Sequence, residues 1–369
     1  MYNTRCILAL AATIALAGTG CSPESSQETA AVTDTTPATQ ISAAPPVPAS
    51  KFDLSHWYLD VPVDLNQDGR ADTISAAELQ NYSHPDFFYL DEQGRLVFAS
   101  PNKATTTKTS TNTRSELRYM SRGADTSIPT KAPANNFALA AHKDAASFAS
   151  IGGRMEATLQ VDHVSRNAGH PHKYPAYSAV IGQIHALKME QKTDGFGYGN
   201  EPLKIFYKKW PNHENGSVFW TYERNLPVDD PNRVDIAYSV WGNSWDNPDD
   251  PGDRGVALGE EFSYTVNVHE NTMHLIFASV KHGTVRHSIN LANNVDANGK
   301  VDSNDHPLGY SGDPLYFKAG LYNQCSTKVD ESFRYPACPG TGDWKTDYAA
   351  GNYAKARFSR LVVSDATPM

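Results

Sequence analysis

The sequence of 369 residues has little helical periodicity, few cysteines and no excess of basic residues. Its formal net charge of −9 argues against a nucleic-acid partner, which would favour a clustered basic surface. The charge does not exclude an anionic sugar, because a local cationic cleft can lie on an acidic protein. Hydrophobic residues make up 40% and charged residues 20%, which is typical of a soluble globular protein.

The apolar run near the N-terminus, Ile7–Ala17, is too short to span a bilayer as a stable anchor. It is typical of a signal peptide, which we place at residues 1–20. The residues before Cys21 resemble a bacterial lipoprotein signal with lipid on the Cys21 sulfur, although Gly18 stands where Leu is expected. We therefore expect export, either as a periplasmic or outer-membrane lipoprotein held to the membrane by lipid alone, or by ordinary secretion.

Aromatic residues are missing between Ser22 and Ser50, where Ser, Thr, Ala, Pro and Gln predominate. Such a segment cannot bury enough apolar surface to offset the entropy of ordering it. We therefore predict a disordered tether over residues 21–50 and one folded domain over residues 51–369.

Only two cysteines remain for the folded domain, because Cys6 leaves with the signal peptide and Cys21 carries the lipid. In an oxidising compartment Cys325 and Cys338, a short loop apart, are expected to form a disulfide. The loop between them would then be held beside the segment that precedes Cys325.

Period-two alternation dominates from Arg95 onward. In Arg154–Asp162, for example, every second residue is apolar. The same pattern, bounded by Gly, Pro, Asn or Asp, recurs in Leu203–Lys209, Arg233–Trp241, Phe262–His269, Thr272–Val280, Leu315–Gln324 and Lys355–Val363. Many short strands with turn residues between them predict an all-β sandwich or jelly roll.

A single short helix is predicted, Ala76–Leu79, where Ser75 caps the start and Glu78 completes a capping box. Two long irregular stretches, Gly169–Tyr177 and Trp241–Gly259, are predicted to be loops. Loops of this kind in a β-sandwich often rim the sheet and carry function, although a plain surface excursion is the alternative for each.

Three of the predicted strands have an apolar side for the core and a polar side of an unusual composition. The polar sides carry Arg114, Glu116 and Arg118 on residues 113–119, Gln183 and His185 on residues 180–185, and Tyr316, Lys318, Tyr322 and Gln324 on residues 316–324. Taken alone, the polar side of any one of these strands is more often an ordinary solvent-exposed face. Together they supply the groups needed to remove a proton next to a carboxylate.

That reaction has three requirements. The carboxylate must be neutralised, and Arg and Gln do this with directed hydrogen bonds. A base must take the proton, and His or Tyr can serve. An acid must protonate the departing glycosidic oxygen, and a Tyr hydroxyl can supply that proton.

The segments Arg114–Arg118, Gln183–His185 and Tyr316–Gln324, in this order, resemble the three signature segments of alginate lyases of polysaccharide lyase family seven. The likeness runs from about Phe52 to Val363. It implies a concanavalin-like β-jelly roll with a concave catalytic sheet, and an enzyme that cleaves poly- or oligo-alginate by β-elimination, leaving 4,5-unsaturated uronate ends.

The resemblance also implies roles for four residues. Arg114 and Gln183 would bind and neutralise the uronate carboxylate. His185 would be the base for guluronate and Tyr322 the acid. For mannuronate, whose C5 proton lies on the opposite face, Tyr322 would act as both base and acid.

The remaining polar residues receive supporting roles from the same resemblance. Arg118 and Lys318 would be further cations of the cleft, and Glu116 would hold the arginines in place. Tyr316 and Gln324 are expected to contact the sugar. The side chains can do the neutralising, so no catalytic metal is required.

Substrate preference and cleavage mode follow from two further features. Ile184, between Gln183 and His185, is associated in this family with activity on guluronate-containing blocks, so we expect a guluronate or mixed-block preference. Long insertions between Ala186 and Glu260, with the Cys325–Cys338 loop, would close one end of the cleft and favour exolytic release of small units.

One acidic segment resembles the start of a calcium loop, with Gly69 at its sixth position. Its candidate ligands are Asp64, Asn66, Asp68 and Asp72. Ser75 stands at position twelve, where a bidentate Glu is expected. A structural calcium site and a tight Asx-rich turn are the two alternatives.

Rival functions are a lyase for another polyuronate such as glucuronan, or a non-catalytic alginate-binding module. A binding module has no need for His185 and Tyr322 together. A glycoside hydrolase would need two facing carboxylates, and only Glu116 lies in the signature strands. We expect a monomer whose partner is the alginate chain.

Overall fold

The computed structural model describes residues 46–192 and 194–369. The predicted signal peptide, Cys21 and the tether up to residue 45 lie outside the described residues. The first described element is a single 3-10 turn, Pro48–Ser50, in which Pro48 is buried and Ala49 packs against the core. Within the described part of the chain, the helices are all too short or too polar to cross a membrane.

Seventeen strands among the described residues form two sheets of ten and seven strands. The first nine are β1 (Trp57–Val61), β2 (Asp72–Ile74), β3 (Phe88–Leu90), β4 (Leu96–Pro101), β5 (Asn112–Tyr119), β6 (Phe137–Ala138), β7 (Ser150–Ile151), β8 (Gly153–His163) and β9 (Ser178–Ala186). The others are β10 (Leu203–Lys208), β11 (Ser217–Glu223), β12 (Asp235–Trp241), β13 (Glu261–His269), β14 (Thr272–Ser279), β15 (Gly283–Asn290), β16 (Leu315–Ser326) and β17 (Tyr353–Ser364).

The larger sheet runs in the order β12-β11-β10-β9-β16-β5-β1-β2, with β6 and β7 attached at β16. The smaller sheet runs in the order β15-β14-β13-β8-β17-β4-β3. The strand pairs are antiparallel except for β6 and β7, which are parallel. The predicted all-β sandwich is therefore confirmed.

The two sheets enclose one large apolar core. Phe98 of β4 and Phe358 of β17 meet edge to face at 5.1 Å, and each buried ring of this kind contributes about 1.5–3 kcal/mol. Tyr264 of β13 reaches across the core and donates a hydrogen bond to the Ile181 carbonyl at 3.0 Å. A Cβ at Gly182 would lie 2.6 Å from the Tyr264 oxygen, so glycine is needed there for the sheets to approach.

The seven strands predicted from alternation are present, with bounds that differ by at most two residues from those expected. The alternation did not reveal β11, because the apolar Phe219 interrupts the polar side formed by Ser217, Thr221 and Glu223. Trp220 lies on the core side of the strand, and a loop covers Phe219 on the other side. An apolar residue on the polar side weakens the period-two signal.

The predicted helix α1 (Ala76–Leu79) is confirmed with both bonds of its capping box. The expectation of only one helix is wrong, since α2 (Trp344–Ala350) precedes β17. The Asp343 side chain accepts the Thr346 N–H at 2.8 Å, and Gly351 ends the helix in the left-handed region with φ 73°. Both are ordinary helix-end signals, but a two-turn helix offers too little periodicity to stand out.

Candidate active site

The three signature strands lie side by side in the larger sheet, in the order β9-β16-β5. The register pairs Arg114 with Tyr322, Arg118 with Lys318, Lys318 with Gln183, and His185 with Tyr316. Because alternate residues of a strand share a face, this pairing collects side chains from distant parts of the sequence on one polar surface.

A cleft of about 730 Å³ lies over this surface. Its floor includes Arg114, Arg118, Gln183, His185, Tyr316, Lys318 and Tyr322. Its walls come from residues 66–73, 107–111 and 333–335. A second cavity of about 620 Å³ shares His185 and Arg118 and extends to the cations Lys131, Lys188 and Lys192.

Glu116 lies beneath the cleft and is only 1% exposed. Its carboxylate accepts hydrogen bonds from Arg114 at 2.9 Å, from Gln183 and from Lys318. Burial raises the pKa of Glu116, but Lys318 and Arg114 outweigh burial and hold it below its ordinary value. Glu116 is therefore ionised and sets the orientation of three donors at once.

Arg118 has other partners. Its guanidinium donates to Asn136 Oδ1 at 3.3 Å and to the Tyr58 hydroxyl at 3.4 Å, and it lies 3.7 Å from the centre of the Tyr316 ring. Glu116 was expected from the sequence to hold both arginines. In the structure it contacts Arg114, whereas Arg118 is held by other residues. Tyr58 and Asn136 come from segments that the sequence patterns did not single out.

Tyr322 places its hydroxyl at the cleft surface. The hydroxyl lies 3.3 Å from Ser110 Oγ, which also accepts a hydrogen bond from Arg114 at 3.0 Å. The Arg114 guanidinium lies 4.0 Å from the centre of the Tyr322 ring. A phenol beside a fixed cation and a hydroxyl is well placed to exchange a proton with a bound sugar. Ser110 comes from a loop and had no signal in the sequence.

His185 is enclosed on three sides. Its Nδ1 lies 2.6 Å from the Ala186 carbonyl oxygen, and its Nε2 lies 3.1 Å from Glu201 Oε1. The Tyr316 ring stacks on the imidazole at 5.3 Å between ring centres. Glu201 precedes β10 and was not predicted, because only the pairing of β9 with β10 brings it to the histidine.

Beyond His185 the larger sheet carries a network of charged side chains. The contacts are Lys204–Asp235 at 2.7 Å, Lys204–Glu201 at 3.3 Å, Arg233–Glu223 at 3.1 Å, Arg334–Asp235 at 2.9 Å and Arg334–Glu223 at 3.9 Å. This network joins β10, β11 and β12 to the loop that carries Arg334.

Cys325 and Cys338 form the predicted disulfide, with their Cα atoms 5.4 Å apart. The loop between them crosses the polar face of the larger sheet, where Arg334 meets Asp235 of β12. Lys173 donates to the carbonyls of Asp330, Phe333 and Tyr335 at 2.7–3.4 Å. The loop is thus fixed at its base and along its length, and it forms one wall of the cleft.

The two segments predicted as long loops also reach this face. Trp245 packs on Phe206 with ring centres 5.3 Å apart and stacks with Tyr174 at 5.8 Å. Lys208 donates to the carbonyls of Tyr174 and Trp245 at 2.6 and 3.0 Å and so ties the two loops together. Tyr322 packs at the edge of this apolar group.

Gln324 is 2% exposed, and its amide donates to the Tyr322 carbonyl at 3.3 Å. It is not among the residues that line the cleft, and its expected contact with the sugar stays a prediction. The strand alternation is interrupted near this end of β16, where its register against β5 shifts between Tyr322 and Ser326.

The candidate calcium loop lies at the rim of the cleft. Asp64 accepts the N–H groups of Asp68 and Gly69 at 2.9 and 3.0 Å, and Asp72 accepts the Leu65 N–H at 3.0 Å. Asn66 accepts the Asp68 N–H at 3.0 Å and Asp68 accepts the Arg70 N–H at 2.9 Å, and these two bonds are those of Asx turns. Within residues 46–192 and 194–369, no three His, Cys, Asp or Glu side chains are grouped to hold a metal ion.

Residues 52–365 match the family model described as alginate lyase. An alginate lyase from Klebsiella pneumoniae is 35% identical over 299 residues, which cover 79% of this chain and 89% of that protein. Among solved structures, an alginate lyase from Klebsiella pneumoniae superposes with a TM-score of 0.67 at 32% identity and covers 87% of this chain and 99% of its own. An exolytic family 7 alginate lyase from Zobellia galactanivorans gives 0.67 at 30% identity, covering 88% and 99%.

Proposed function

This chain belongs to the alginate lyases of polysaccharide lyase family 7, and we propose that it releases small unsaturated units from one end of alginate chains. We further propose a preference for guluronate or mixed blocks. The single observation that carries the proposed mode is the wall of the cleft formed by the disulfide loop and its Arg334–Asp235 contact.

The proposed chemistry uses the cleft floor. Arg114 and Gln183 hydrogen-bond the uronate carboxylate and neutralise the charge that develops when the C5 proton leaves. The electron pair of the broken C5–H bond forms a C4–C5 double bond as the C4–O4 bond breaks. Tyr322 gives its hydroxyl proton to O4. His185 and Tyr322 both line this cleft and each has an atom able to accept the C5 proton.

The fixed orientation of the neutralising groups supports this assignment. Glu116 holds Arg114 and Gln183 from below, so both donors are oriented before the substrate arrives. Preorganised donors of this kind lower the barrier because they need no rearrangement during the reaction. The charge is neutralised by side chains, so the proposed reaction requires no metal.

Closure of the cleft supports the exolytic mode. The disulfide loop covers β12 and β11, and the Trp245 loop covers β10 and β11 next to Tyr322. A sugar chain crossing the sheet from β5 would meet these loops soon after the catalytic residues. A relative that is 30% identical to this chain is described as exolytic, which also supports the exolytic mode.

The guluronate preference rests on Ile184. This side chain is fully buried in the core behind Gln183 and His185, so it acts on the substrate only through packing. A β-branched side chain is stiff at χ1 and favours the strand that carries both polar neighbours.

The test is incubation of the purified chain with alginate while unsaturated ends are followed by their near-ultraviolet absorbance. We expect mono- or disaccharide-sized products from the earliest time points and a slow fall in viscosity. A ladder of mixed oligomers at early times would rule out the exolytic mode. Purified guluronate, mannuronate and mixed blocks, digested separately, test the preference, and a faster rate on mannuronate would contradict it.

A further inference from the structure

The position of Glu201 beside His185 has a chemical consequence. The Ala186 carbonyl only accepts hydrogen bonds, so the contact at 2.6 Å keeps a proton on Nδ1 of the neutral ring. Nε2 is then the basic nitrogen, and Glu201 Oε1 lies 3.1 Å from it. A carboxylate therefore stands next to the nitrogen that would take up a proton.

We propose that Glu201 is a positioning residue for His185, whose protonated ring it stabilises by its negative charge during guluronate cleavage. The inference rests on the proposed function, in which His185 takes the C5 proton of guluronate. That proton moves to Nε2, the C5 electron pair forms the C4–C5 double bond, and O4 leaves with the Tyr322 proton. The imidazolium so formed lies against the negative charge of Glu201.

The backbone fixes both partners. The Glu201 N–H donates to Glu223 Oε2 at 2.9 Å, and the Glu223 N–H donates to the Glu201 carbonyl at 3.2 Å. The Ala186 N–H, directly after His185, donates to the Asn200 carbonyl at 2.9 Å. His185 and Glu201 therefore lie where the ends of β9 and β10 are hydrogen-bonded to each other. These bonds fix the backbone of one residue relative to the other.

The surroundings keep Glu201 ionised. Burial raises the pKa of Glu201, but Lys204 at 3.3 Å and His185 outweigh burial and hold it well below its ordinary value. Burial and the neighbouring Glu201 raise the pKa of Glu223, so Glu223 takes up a proton first. The other charged groups around the pair are Asp235, Arg233, Arg334 and Arg118, together with Lys131, Lys188 and Lys192 of the adjoining cavity.

A second contact between a glutamate and a histidine in this chain serves as a control. Glu260 Oε1 lies 2.9 Å from His282 Nε2 on the turn after β14, in the seven-stranded sheet. His282 is 6% exposed, whereas the His185 side chain is 22% exposed and lines the cleft. Glu260→Gln therefore removes the same contact away from the catalytic floor.

The first experiment measures kcat/KM against pH for Glu201→Gln, separately on guluronate and mannuronate polymers. In Glu201→Gln the imidazolium formed at His185 loses the adjacent negative charge. On guluronate we expect the rising limb of the profile to move to lower pH by about one unit and the plateau to fall about three- to tenfold. On mannuronate, where Tyr322 takes the proton, we expect a change of less than about twofold. Glu260→Gln should match the unmodified enzyme on both.

The second experiment needs no catalysis. In chain labelled with 13C-histidine, the His185 ring signal is assigned by its loss in His185→Asn and followed against pH. We expect its midpoint to move to lower pH in Glu201→Gln and to stay in place in Glu260→Gln. The positioning role would be overturned if the midpoint of the His185 ring titration did not move in Glu201→Gln. It would also be overturned if kcat/KM fell equally on both polymers with no shift in the pH profile. A chain without lyase activity on alginate would instead refute the proposed function, while the ring titration would still decide the role of Glu201.

Discussion

The Tyr322 hydroxyl is the group on which the proposed elimination depends most directly. It lies beside Ser110 Oγ at 3.3 Å and at the edge of a ring that packs under Arg114. Family resemblance suggested its role from the sequence, whereas its neighbours became visible only in the folded chain.

We predict that Tyr322→Phe lowers the rate of formation of unsaturated ends by about 10²–10⁴-fold, because the proton for O4 is lost. The melting temperature should change little, since the ring and its packing remain. Tyr348→Phe, on the exposed side of α2, is the matched control and should keep full activity. Undiminished turnover in Tyr322→Phe would refute the proposed mechanism.

Glu116 acts on stability as well as on orientation. In Glu116→Gln the buried cations Lys318 and Arg114 lose their counter-charge, which we expect to cost about 3–5 kcal/mol of unfolding free energy. The pKa of Glu116 lies below its ordinary value when folded, so its contribution is present above the unfolded value of about 4.3 and is lost as pH falls through the folded value.

Urea unfolding between about pH 3 and pH 7 measures this effect. The unmodified chain should lose stability toward acid, and Glu116→Gln should be less stable at neutral pH with a shallower acid slope. Equal stability of the two chains at neutral pH would contradict the role of Glu116 as the buried counter-charge.

Among the elements, the disulfide loop decides the shape of the cleft. Its closure over a sequence separation of 13 contributes on the order of 3 kcal/mol through loop entropy. The disulfide was predictable from two cysteines in a chain that is expected to be exported. The path of the loop across β11 and β12 was not, because it depends on contacts with Glu223 and Asp235 that lie about a hundred residues away in the sequence.

We predict that Arg334→Ala loosens this wall and increases early products longer than a disaccharide several-fold, since the contact with Asp235 is removed. Size-resolved products at low conversion measure the change. Arg360→Ala, which breaks the exposed contact with Glu156 on the other sheet, is the control and should leave the products unchanged. The same short products from Arg334→Ala would show that this contact does not set the cleavage mode.

The acidic loop at the rim of the cleft offers a second test at this scale. Asp64 and Asp72 already accept backbone N–H groups, so we expect the loop to hold its shape by these bonds. A calcium chelator should then leave the melting temperature unchanged. A fall in melting temperature that added calcium reverses would instead support a structural calcium site.

At the scale of the whole molecule, a chain of net charge −9 places six cations together at the cleft. Arg114, Arg118 and Lys318 lie in the cleft floor, and Lys131, Lys188 and Lys192 lie in the adjoining cavity. Such a local concentration of positive charge attracts a polyuronate to the cleft.

The export proposal also belongs to the whole molecule. We propose that Cys21, which lies outside the described residues, carries lipid in the producing cell. Labelling with a radioactive fatty acid should then mark the unmodified chain and not Cys21→Ser. An unlabelled chain recovered from the medium would favour ordinary secretion.

The sequence by itself determined the class of fold, because period-two alternation is a local property that survives in strands with one buried face. It also identified part of the floor of the cleft, since Arg114, Glu116 and Arg118 share one side of their strand through alternation alone. It failed for β11, where Phe219 interrupts the polar side of the strand.

Only the tertiary structure decided which groups complete the site. Ser110, Glu201 and Arg334 come from loops, and their side chains reach the floor through strand pairing and loop packing that no local pattern encodes. Strand alternation specifies which side of a sheet a residue faces. The partner that it meets there depends on contacts between segments far apart in the chain, so the contacts of Arg334 and the neighbour of His185 had to be seen in the fold.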